Sequence, residues 1–86
     1  MPRSIADQCL KMLDDDVLTM HELTRAIALF RERKPPLGSR IYDAVGDALV
    51  LSRSIAKRYA GQSRIPRMEN EAWRLAMLRI QNTPEP

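Results

Sequence analysis

Few side chains in this 86-residue chain could carry acid–base or nucleophilic chemistry. His21 is its single histidine and Cys9 its single cysteine. A nucleophilic pair would need the two within hydrogen-bond reach. Cys9 instead shares an apolar face with Ile5, Met12 and Leu13, where a thiol behaves as a small inert core group. Zinc takes about four nitrogen or sulfur ligands, and the chain owns only these two. His21-Glu22 also lacks the second histidine of a zinc-protease helix. Asp14, Asp15 and Asp16 could attract a hard cation, but neither the glycine turn nor the spaced glutamate of a calcium-binding loop follows. A solvated acidic corner is the expectation there. Gly38, Gly46 and Gly61 lie too far apart to cradle a phosphate. These absences predict a protein that is not an enzyme, with no metal, no cofactor and no small-molecule substrate.

The chemistry that remains is charge. The formal net charge is only +3, but it is unevenly spread. Residues 1–23 hold two cations against five anions, residues 24–67 ten against three, and residues 68–86 two against three. Arginine outnumbers lysine 11 to 3, so two-pronged contact with phosphate or carboxylate is available. The candidate contact residues are Arg53, Lys57, Arg58, Arg64 and Arg67. They fit an acidic protein or a nucleic acid, and they could also pair with Asp14 to Asp16.

Four helices are expected to position these groups, over about 4–14, 20–33, 39–60 and 69–81, joined by short connections marked by proline and glycine. The fold class is all-α, a small bundle forming one domain over 1–82 with a frayed tail at 83–86. Ser4 and Asp7 resemble a capping box, and Thr19 with Glu22 makes a better one. Met20, Leu23, Ile27 and Phe30 form an apolar stripe at helical spacing, and Pro35-Pro36 stops that helix. In the longest helix Ile41, Val45, Ala48, Ser52, Ile55 and Tyr59 recur every four and three residues, a coiled-coil-like seam. Tyr42, Gly46 and Leu49 are expected to widen it. Gly61 is a natural end for this helix.

Two further surfaces follow from the pattern. A glycine inside a helix costs about 1 kcal/mol against alanine. The small residues Ala44, Gly46, Ala48 and Ser52 therefore suggest close helix packing, against a neighbour in the same chain or against a second chain. The last helix is apolar over most of its circumference. Trp73, Leu75, Met77 and Ile80 on it either close the chain's own core or form the candidate apolar interface, because burial on more than one side is hard to arrange for a terminal helix and one side should be left over. A second expectation has this helix exchanged onto a second copy.

A DNA-reading helix-turn-helix does not fit. The turn after Thr19–Phe30 comes only at Pro35 to Gly38, later than such a unit allows. The next helix opens with Asp43 and Asp47, where a recognition helix would meet phosphates and bases. The chain is thus expected to act as a small helical interaction protein, a regulator or adaptor that binds a protein partner and forms a homodimer. Nucleic-acid binding through the basic residues is the alternative. No apolar run approaches the roughly 20 residues of a membrane span. The acidic stretch Met1–Met20 is not expected to be a secretory signal, and the lone Cys9 leaves no internal disulfide. A cytoplasmic location is therefore expected.

Overall fold

The structure is a computed structural model that describes residues 17–33 and 35–84. Among them it is all-helical, with three α-helices: α1 (Met20–Glu32), α2 (Arg40–Arg58) and α3 (Arg67–Gln81). The four-helix expectation is corrected to three for the described residues. The predicted helix over 4–14 lies outside them, as do Asp14 to Asp16, Cys9 and the end of the tail at 85–86.

The first two helices start where a side chain can satisfy a free amide. Thr19 caps α1, its side chain accepting from the Glu22 N–H at 3.2 Å and its hydroxyl donating to Glu22 Oε1 at 2.9 Å. Ser39 caps α2, accepting from the Tyr42 N–H at 3.1 Å and donating to the Pro36 carbonyl at 2.6 Å. The turn leading into Ser39 uses Gly38 at φ 78°, a left-handed conformation that glycine adopts without steric cost.

Four boundaries differ from expectation by one or two residues. α1 ends at Glu32 rather than 33, because Arg33 turns extended ahead of Pro35-Pro36. α2 covers Arg40–Arg58 rather than 39–60. Ser39 is its cap, Tyr59 leaves helical geometry, and Gly61 turns the chain at φ 88°. α3 begins at Arg67 rather than 69, since Pro66 takes the cap position with an extended ψ. Proline lacks only an N–H that a helix start leaves free anyway. At the far end Thr83 donates from its hydroxyl to the Arg79 carbonyl and from its amide to Ile80. The hydrogen-bonded chain therefore runs into the segment expected to fray.

α2 is the central helix. α1 and α3 each pack on it and not on one another. Its buried residues Ile41, Ala44, Val45, Ala48, Ser52 and Ile55 reproduce the expected seam, and Tyr59 is half-buried beside them. α1 contributes Leu23, Ala26 and Phe30, with Met20 and Ile27 half-buried. α3 contributes Trp73, Met77 and Ile80. At the centre the Trp73 Nε1–H donates to Ser52 Oγ at 2.9 Å, and the Ser52 hydroxyl donates to the Ala48 carbonyl at 2.7 Å. Ser52 thus uses both its donor and an acceptor site in the dry interior, which is what permits a hydroxyl there.

A short strap completes the core. The Met20 N–H donates to the Ser63 carbonyl at 2.8 Å and the Ile65 N–H to the Leu18 carbonyl at 2.9 Å, an antiparallel bridge centred on Thr19 and Arg64. It ties the residues before α1 to the connection between α2 and α3. The pairing turns Leu18 and Ile65 inward, and both are buried.

Candidate basic binding groove

The strap and the start of α3 form the walls of an open groove of about 580 Å³, lined by Val17, Arg64, Ile65, Arg67, Asn70, Glu71 and Arg74. Ile65 anchors one wall through its buried side chain, while its neighbour Arg64 points to solvent. This alternation is what an extended, paired segment imposes. On α3, residues 67, 71 and 74 are spaced four and three apart and share one face. Asn70 sits beside them, buried. Arg67 Nε approaches Glu71 Oε1 at 3.7 Å, with both side chains largely exposed. Pairs of that kind contribute little. Among the described residues, three guanidiniums and one carboxylate line the groove, a basic lining able to hold carboxylates or phosphates by two-pronged contacts.

The five basic residues singled out from the sequence fall into three places. Arg64 and Arg67 line the groove. Arg58 is turned to α3, its Nη1 3.2 Å from Glu69 Oε1, an oxygen that also accepts from the Tyr59 hydroxyl at 3.1 Å. That pairing joins the end of α2 to the start of α3. Arg53 and Lys57 lie one turn apart on the exposed face of α2, with no ion pair to a described residue. Arg74 completes the groove and was missed. Its spacing of seven from Arg67 was the available signal, since residues seven apart in a helix lie on one face.

The apolar and close-packing candidates move further. Trp73 and Met77 are fully buried and Ile80 nearly so, all within this chain's own core. Only Leu75 of that set is exposed. α3 is amphipathic rather than apolar all round, and it docks on α2 of the same chain. Ala44, Ala48 and Ser52 are buried between helices, but Gly46 is exposed, and a Cβ added there would meet nothing within 4 Å. At about 100° per residue Gly46 sits roughly 200° from Ala44, on the opposite side of α2. Among the described residues, nothing makes the expected close contact at Gly46. Tyr42 faces solvent too, while Leu49 is half-buried.

His21 is exposed on the first turn of α1. Among the described residues no three histidine, cysteine, aspartate or glutamate side chains cluster as a metal site would require. No described helix is long and apolar enough to cross a membrane. No family model, curated protein or solved structure matches the chain.

Proposed function

We propose that this chain is a small non-enzymatic helical interaction protein, a regulator or adaptor, whose partner presents an acidic polypeptide segment to the groove of Arg64, Arg67 and Arg74. One observation carries the reading. Three arginines from two segments line one open groove, where Glu71 is the single carboxylate among the described lining residues. A carboxylate-rich segment supplies further acceptors for these donors, and the half-open shape suits an extended chain. The expected homodimer loses its anticipated seat, because Trp73, Met77 and Ile80 are in the core. Among the described residues, one exposed face open to self-association is the outer side of α2, around Tyr42, Gly46 and Val50. A cytoplasmic setting remains part of the proposal.

Fluorescence anisotropy with a labelled glutamate-rich peptide tests the reading. Binding that weakens steeply with salt, and at least tenfold in Arg64→Glu/Arg74→Glu with helicity intact, is the expected result. Equal affinity in the two proteins would remove the groove from the account.

A second reading, binding to a nucleic-acid backbone, is favoured by one separate feature. Arg53 and Lys57 are exposed one turn apart on α2, with no ion pair to an acidic side chain among the described residues. It expects duplex binding that Arg53→Glu/Lys57→Glu abolishes. No retardation of duplex DNA at low salt rejects it.

A further inference from the structure

The exposed side of α2 carries a pattern that matches itself when the helix is reversed. Counted outward from Val50, Asp47 and Arg53 stand three residues away, Gly46 and Ser54 four, and Asp43 and Lys57 seven. Each acid before Val50 is thus answered by a base at the same distance after it, and the small Gly46 by the small Ser54. At about 100° per residue, all six fall within roughly 60° of Val50 around the helix, so the seven share one face. All seven are exposed, Val50 at 68%. Asp43, Arg53 and Lys57 make no ion pair with a described residue, whereas Asp47 pairs with Arg79 of α3.

We infer that α2 is the seat of a two-fold, antiparallel homodimer centred on Val50 and held in register by Asp43 and Lys57. Charge complementarity selects a second copy as the occupant. In a two-fold contact, if one residue meets another then the reverse contact is also made. Reversal about Val50 sets Val50 against Val50 of the second copy. It sets Asp43, roughly 10 Å along the helix, against Lys57 of the second copy, and symmetry repeats that pair at the other end. A parallel copy would instead oppose Asp43 to Asp43 and Lys57 to Lys57. The antiparallel arrangement also opposes the two helix dipoles. Gly46 and Ser54 flank Val50 and are small, as an alanine at 46 would be, so the two valines can meet. Arg53 lies over Gly46 of the second copy, where its aliphatic stem can cover the valine contact. A nucleic-acid backbone suits this face less well, because Asp43 and Asp47 on it repel phosphate. One helix face per copy is a small interface, so the dimer is weak and its population depends on concentration. The inference rests on the self-association in the reading above, gives it a surface and a register, and is independent of the groove.

Sedimentation equilibrium of the full chain over a range of concentrations tests this, on wild type, Asp43→Lys and Lys57→Asp, with circular dichroism to check that each is folded. The wild type should self-associate, more weakly as salt is added. Each single reversal places like charges together at both symmetry-related positions and should weaken the dimer about tenfold at low salt. An equimolar mixture of the two variants brings opposite charges together again at both positions. It should associate about as tightly as wild type, whereas mixing would not repair a folding defect. Wild-type association that neither reversal weakens puts the contact elsewhere and overturns the inference, with self-association itself still standing. Weakened variants whose mixture stays weak overturn the antiparallel register. A monomer at every concentration overturns both the inference and the self-association, while peptide anisotropy reports separately on the groove.

Discussion

At the scale of single residues, the hydroxyl of Ser52 is the most exacting feature of the core. It accepts from Trp73 and donates to Ala48 in a region with no exposure. Ser52→Ala removes only one oxygen but leaves the indole N–H buried without an acceptor, a cost of about 1–3 kcal/mol. Chemical denaturation should show that loss with an unchanged slope. Gly46 predicts the opposite sign. It lies mid-helix with open space around its Cα, so Gly46→Ala should stabilise by up to about 1 kcal/mol. A lower midpoint for that variant would mean that something does approach this face. The sequence pointed to close packing in this region, and Ala44, Ala48 and Ser52 do pack closely. Gly46 was grouped with them by composition, whereas the helical angle sets it apart. A serine on an apolar seam is readable as a packing position, but its hydrogen bond to a tryptophan 21 residues on is set by the tertiary fold.

The elements were legible wherever local chemistry decides them. Thr19 and Glu22 mark the start of α1, Pro35-Pro36 its end, and the four-and-three spacing marks the inward face of α2. The boundary shifts arise where a residue that looks helical serves instead as a cap or turn, as at Ser39 and Tyr59. α3 was the element read least well. Counting apolar residues around it suggested burial on several sides. The structure buries Trp73, Met77 and Ile80, a three- or four-residue stripe, and leaves Ala72 and Leu75 outside. Trp73→Glu is therefore expected to unfold the protein rather than split a dimer, and loss of helical circular dichroism would show it. The strap was not legible at all. Leu18 and Ile65 belong to no helical period, and their pairing depends on α1 and α2 bringing distant residues together. Ile65→Ala should cost about 2–5 kcal/mol as a large-to-small change at a buried site. It should also weaken peptide binding, because Ile65 holds the wall that carries Arg64. A stable variant with a fully functional groove would show that the strap does not position it.

For the molecule as a whole, the question is where a modest net charge is concentrated. A total of +3 describes neither the acidic approach to Val17 nor the arginines around the groove. The uneven distribution along the chain was readable directly, as was the choice of arginine over lysine. The gathering of Arg64, Arg67 and Arg74 into one groove required the strap, and so could not be read from spacing alone. The same geometry diverts Arg58 to Glu69 and leaves Arg53 and Lys57 on a separate face, dividing a patch that looked continuous in sequence. The most direct measurement of the central claim is an NMR titration of the isotope-labelled full chain with an unlabelled glutamate-rich peptide at low salt. The account predicts amide shifts concentrated at Val17, Arg64, Arg67 and Arg74. Shifts centred instead on Arg53 and Lys57, or none at all, would contradict it.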